Sequence, residues 1–107
     1  MATVAITLSA VSNKARSGLN AIVPIQDAEP YASAFATSSA TSQQAAISPF
    51  AGEADQFWTI TATGGDVWAA FGEDPVAAPG NQWLIASGTT REFAAKSGQV
   101  LAIIDAA

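Results

Sequence analysis

The chain has 107 residues and a net charge of −5; half of its residues are apolar and 12% are charged. That length supports one hydrophobic core and not two, and the apolar share excludes an intrinsically disordered chain. The four cations, Lys14, Arg16, Arg91 and Lys96, are too few and too scattered to replace phosphate counterions, so nucleic acid and anionic membrane are not expected partners.

Met1 to Ala10 has neither a basic start nor a long apolar run, so no secretory signal is expected. No stretch reaches the roughly 20 apolar residues of a membrane-spanning helix. The expectation is a soluble chain made in the cytoplasm. Thr3-Val4-Ala5-Ile6-Thr7-Leu8 alternates with period two: Val4, Ile6 and Leu8 point one way, and Thr3, Ala5 and Thr7 the other. This predicts a strand. Ser12 to Gly18 is polar and basic and reads as a loop. Ala21-Ile22-Val23 with Ile25 predicts a second strand, and Pro24 within it implies a sheet edge or a bulge.

From Tyr31 to Ile47 the chain is rich in Ala, Ser and Thr. Ala favours a helix, but Ser and Thr are poor helix-interior residues, and Tyr31, Phe35 and Ile47 build no continuous apolar stripe. Two short strands near 32–37 and 41–47 are expected, followed by a turn at Ser48 to Gly52. Phe57 to Ala62 and Val67 to Phe71 are two further strands, joined through Gly64-Gly65. A Gly pair between β-rich runs suits a tight hairpin, since Gly accepts the positive φ of the primed turns. In that register Ala62 pairs with Val67, Ile60 with Ala69 and Trp58 with Phe71, all apolar and on one face. Trp68 falls on the opposite face from Trp58. A loop from Glu73 to Asn81 leads to strands at Gln82 to Ala86, Thr90 to Ala95 and Val100 to Ile104, with turns at Ser87-Gly88-Thr89 and Lys96 to Gln99.

Turn signals recurring every eight to ten or so residues are the spacing of sandwiches and barrels. The predicted fold is all-β: an antiparallel β-sandwich of seven to nine strands, with a jelly roll as a candidate topology. Residues 1–107 are expected to form a single β-sandwich domain, with an extended N-terminal segment. About a quarter of the chain is Ala, which adds little buried area, so the core rests on Trp, Phe, Ile, Leu and Val.

The residues for most enzyme chemistry are missing. There is no His and no Cys, which removes the usual general base, the thiolate nucleophile and the common zinc ligands. Ser and Thr are plentiful, but no Ser-His-Asp or Ser-x-x-Lys arrangement exists. Two acidic pairs, Glu53 with Asp55 and Glu73 with Asp74, are of a type that serves glycoside cleavage or Ca²⁺ binding; solvated loop acids are the plainer reading. No catalytic residue, cofactor or metal is expected. Trp58, Phe71 and Phe93 are assigned to the core. Trp68 is open to three roles: core of a second sheet, sugar platform or oligomer contact. Tyr31 and Phe50 lie in Pro-flanked loops, as partner anchors or as plugs for the sandwich ends. The candidate partner-binding residues are therefore Tyr31, Phe50 and Trp68.

The run Asp66-Val67-Trp68-Ala69-Ala70-Phe71-Gly72-Glu73-Asp74-Pro75-Val76-Ala77-Ala78, then Trp83 to Phe93 and Ser97-Gly98-Gln99-Val100-Leu101-Ala102-Ile103-Ile104, resembles small virion proteins of tailed bacteriophages. It covers about residues 56–104, and its elements are core strands and turns. The resemblance implies a capsid decoration, or cement, protein on the virion exterior. Such a protein binds the major capsid protein and itself, as a homo-oligomer, commonly a trimer, and stabilises the head. It implies no individual binding residue. An acidic surface, which DNA repels, is compatible with a place outside the shell. The alternatives are a carbohydrate-binding module of a tail or adhesin, centred on an exposed Trp68, and a head–tail joining or tail protein.

Overall fold

The computed structural model describes residues 2–16, 22–26, 30–49 and 56–106. Among them are nine strands and no helix: β1 (Thr3–Arg16), β2 (Ile22–Gln26), β3 (Ala32–Thr37), β4 (Gln43–Gln44), β5 (Gln56–Thr63), β6 (Val67–Gly72), β7 (Trp83–Ile85), β8 (Thr90–Ala94) and β9 (Val100–Asp105). Eight of them make an antiparallel sandwich. One sheet runs β3-β1-β5-β8 and the other β4-β9-β6-β7, while β2 extends the first sheet as a ribbon on β1. Taking β3 as first and β1 as last around a closed circuit, one sheet reads first–last–third–sixth. The other reads second–seventh–fourth–fifth. That is the pairing of a jelly roll, with the chain opened between β9 and β1.

The core is set by period two. Val4, Ile6 and Leu8 of β1 and Trp58, Ile60 and Ala62 of β5 are buried from the first sheet. Val67 and Ala69 of β6, Ile85 of β7 and Leu101 and Ile103 of β9 meet them from the second. Trp58 is the largest of these side chains and only 1% exposed. The three aromatics assigned to the core all contribute, with Phe71 and Phe93 partly buried against it.

Two expectations need correction. The segment from Ser12 to Arg16 is not a loop: β1 continues through it, paired with β2 from Val11↔Gln26 to Arg16↔Ile22. A two-stranded ribbon needs no apolar face, because its backbone hydrogen bonds form wherever a partner strand is available, so the polar composition there carried no warning. The register jumps between Ser12 and Ala15, opposite Pro24 on the outermost strand; this is the edge-and-bulge setting that Pro requires. At about 3.3 Å per residue, the 14 residues of β1 span roughly 46 Å, close to the 49 Å long axis of the molecule.

The second correction concerns Gly64-Gly65. They do not close a hairpin. β5 has β1 and β8 on its two edges, and β6 has β9 and β7. The Gly pair is an arch from one sheet to the other, with Gly64 at φ +86°, a backbone conformation that side-chain-bearing residues rarely take. The side chains expected to be neighbours in one sheet instead face each other across the core; Trp58 and Phe71 have ring centroids 6.1 Å apart. Strand alternation is the same in both arrangements, which is why the apolar pairing survived while the topology did not.

A buried clasp ties the two sheets at one end. The Ser38 hydroxyl, just past β3, accepts a hydrogen bond from the Ala2 N–H at 2.8 Å and donates to the Asp105 carboxylate at the end of β9. The Ser38 N–H donates back to the Ala2 carbonyl, and the Asp105 N–H donates to the Ser39 carbonyl.

Candidate functional site

The segment after β6 shapes one outer face. Asp74 accepts a hydrogen bond from the Gln44 side-chain amide at 2.8 Å, and the Ala77 N–H donates to Ser42 Oγ at 2.8 Å. These bonds draw the segment onto the outside of the second sheet, where Ala77 packs on Ala70 and Ala102 with Ile104 beside them. Only small side chains allow so close an approach, which accounts for the consecutive Ala69-Ala70 on β6: one faces the core and the other the covering segment. Trp68 shares this outer face, opposite Leu84 on β7 and Ile104 on β9, and is half-buried. It is not part of the main core. Val76, at the crest of the covering segment, is 71% exposed.

At the flank where β7 and β8 form the two sheet edges, the core runs out to the surface as a line of aromatics. Trp58 meets Phe71, Phe71 meets Phe93 with centroids 5.1 Å apart, and Phe93 meets Trp83 at 5.5 Å. Trp83 is 46% exposed. The Arg91 guanidinium lies 5.7 Å from the Trp83 ring and 5.6 Å from the Phe93 ring, within reach of both ring faces. Arg91 pairs with Ile60 on β5, so it sits on the core side of an edge strand. A charge there resists pairing by another chain. Gln82 guards the neighbouring edge: its side-chain amide accepts from the Phe71 N–H at 2.9 Å and donates to the Phe71 carbonyl. Gln82 has φ +68°, and these two bonds offset that conformation by completing the β6 ladder with a side chain.

The outer face of the first sheet is nearly uncharged. Reading from β3 to β8, its cross-strand rows are Thr37-Thr3-Thr63, Phe35-Ala5-Thr61-Thr90 and Ser33-Thr7-Thr59-Glu92. The Thr61 and Thr90 hydroxyls bond to each other at 2.8 Å. Thr59 Oγ1 is buried without a hydrogen-bond partner. An unsatisfied buried hydroxyl costs free energy that a methyl group does not, so Thr59→Val is expected to stabilise the fold by about 1 kcal/mol; chemical denaturation followed by tryptophan fluorescence measures it. A midpoint below that of the parent chain would contradict the assignment.

The residues singled out from the sequence do not converge. Tyr31 precedes β3 in the first sheet, is partly exposed and donates its N–H to the Leu8 carbonyl at 2.8 Å. Trp68 belongs to the second sheet. Phe50, Glu53 and Asp55 lie outside the described residues. Glu73 and Asp74 are exposed, and Asp74 holds Gln44. Among the described residues no group of three or more His, Cys, Asp or Glu could hold a metal. Sequence reasoning passed over Phe35, Trp83 and Arg91. For Phe35 a signal existed, since it falls on the same alternation as Ser33 and Thr37 and opposite to Ala34 and Ala36. For Trp83 and Arg91 none did, because their meeting depends on two sheet edges lying side by side. Comparison with protein families, curated proteins and solved structures found no match.

Proposed function

We propose that this chain is a binding protein that acts through its outer surfaces, of the bacteriophage capsid-decoration type: it coats the outside of the head, contacts the major capsid protein and stabilises the shell. The observation that carries a binding role is the placement of large apolar side chains on the outside of a filled sandwich. Phe35, Val76, Trp83 and Leu84 are all exposed. Side chains of this size and exposure on a small domain suit burial against a partner. The capsid reading rests on the resemblance of residues 56–104 to small tailed-phage virion proteins. A net charge of −5 favours an exterior position away from packaged DNA.

The test is direct. Quantitative mass spectrometry of purified particles is expected to find hundreds of copies of the chain per virion, and particles lacking it are expected to release DNA at lower temperature. Presence in infected-cell lysate but absence from particles would end the proposal, and a handful of copies would move the chain to a joining or tail role. A carbohydrate-binding reading is favoured by one observation, the half-exposed Trp83 beside Arg91. It now centres on Trp83 in place of Trp68. Glycan-array binding that is lost in Trp83→Ala would establish it.

A further inference from the structure

We infer that the outer face of the first sheet is a self-association surface, on which a second copy of this chain docks through a two-fold axis, each copy placing Phe35 in the other's cleft. Three observations carry this. The first is the knob. Phe35 is 79% exposed in the middle of an ordered strand, where Ser33 and Thr37 flank it on the same face. The second is the hole. Beside Phe35 lies an open cleft of about 300 Å³, lined by Ala5, Ile6, Thr7, Ser33, Ala34 and Phe35 itself. A cavity of about 150 Å³ already accepts a benzene ring, so the cleft has room for a phenyl side chain. Knob and hole lie next to each other on one face. A two-fold axis lying in the interface between them exchanges the two, which is the self-complementarity an isologous contact demands.

The third observation is electrostatic. Each copy carries −5, so most approaches of two copies are repulsive. The rows around Phe35 hold Thr, Ser and Ala, with Glu92 as their one ionisable group, at the β8 margin. Two acidic copies meeting through these rows set little charge against charge, and flat small-residue faces permit sheet-to-sheet packing at about 10 Å. The face is small. Four strands at about 4.8 Å and five residues at about 3.3 Å give a footprint of roughly 300 Å², against roughly 800 Å² per partner in a standard stable complex. The pair is therefore a weak, concentration-dependent dimer. It differs from the three-fold assembly that the virion resemblance implies, and it does not depend on the capsid reading.

Sedimentation equilibrium of the full chain up to about millimolar concentration tests it, with amide chemical shifts followed over the same range. The expected result is a monomer–dimer equilibrium, with concentration-dependent shifts at Ala5, Thr7 and Ser33. Phe35→Ala is expected to weaken association by about tenfold or more, and so is Ser33→Glu, which sets a charge at the cleft. Both positions are exposed, and the shift spectrum of each variant reports directly whether it is folded. Val76→Ser, an exposed apolar site on the segment that covers the other sheet, is expected to leave association unchanged. A chain that stays monomeric throughout, a dimer or trimer indifferent to Phe35→Ala, or an equal loss in Val76→Ser would overturn the inference.

Discussion

Trp58→Ala is expected to lose about 3–5 kcal/mol of stability, the range for removing a large aromatic from a packed core. Domains of this size have about 5–15 kcal/mol in total, so the variant should lose a large fraction of its stability and unfold at markedly lower temperature and urea. The reason lies in the position of the ring. Trp58 sits on β5, between β1 and β8, paired with Leu8 on one side and Phe93 on the other. Its ring reaches across to Phe71 of the second sheet. Ala69, also facing the core, is too small to refill the space, and the flanking strands cannot collapse without breaking ladder hydrogen bonds. Equilibrium urea denaturation followed by far-UV circular dichroism gives the value. The comparison is Trp83→Ala at the exposed end of the same aromatic line, where a loss of about 1 kcal/mol or less is expected. Equal losses at the two positions would mean that the core is not centred on Trp58.

The second large effect is at the clasp. Ser38→Ala removes the acceptor for the Ala2 N–H, and Ser38 is itself fully buried. A buried donor left without a partner costs about 1–3 kcal/mol. The same change removes the Ser38 hydroxyl from the Asp105 carboxylate. The Ser38 hydroxyl holds the Asp105 carboxyl below its ordinary value of 3.8, against the partial desolvation that pushes it up. A carboxyl depressed in the folded state contributes stability that is fully present above the unfolded value and is lost as pH falls through the lower folded value. The parent chain should therefore lose this contribution below pH 3.8. The gap between parent and Ser38→Ala, wide at pH 7, should be narrower at pH 3, where the parent has begun to lose the contribution of the depressed carboxyl. Urea titrations at the two pH values measure the gap, and carboxyl-detected NMR follows Asp105 itself. A gap of equal width at both would show that the Ser38–Asp105 bond contributes nothing to folding.

Most strands could be read from the residues. Thr3, Val4 and the alternation that follows placed the start of β1, and the Ser87-Gly88-Thr89 and Lys96 to Gln99 turns placed β8 and β9 to within a residue or two. The Ala, Ser and Thr stretch resolved into β3 at its expected position, although β4 shrank to Gln43–Gln44. These features are local: a side chain's preference for one face and a glycine's tolerance of positive φ act within a few residues. The candidate partner residues were less legible. Tyr31 and Trp68 stood out as large aromatics near Pro or off the core face, yet they belong to different sheets. Phe35, the most exposed of the large apolar residues among those described, shared a face with Ser33 and Thr37 by alternation, but whether another layer would cover that face was not written in so local a pattern.

The sequence by itself determined that this protein is a two-layer β structure, which side of most strands is apolar, and that it has neither His nor Cys for chemistry. Only the tertiary structure decided which strands are neighbours. Alternating residues look the same whether their partners lie beside them in one sheet or opposite them across the core. The Gly64-Gly65 arch, the Ser38–Asp105 clasp and the meeting of Arg91 with Trp83 all follow from how the two layers are connected. That connection is set by the packing energy of the whole core, which no short stretch of sequence contains.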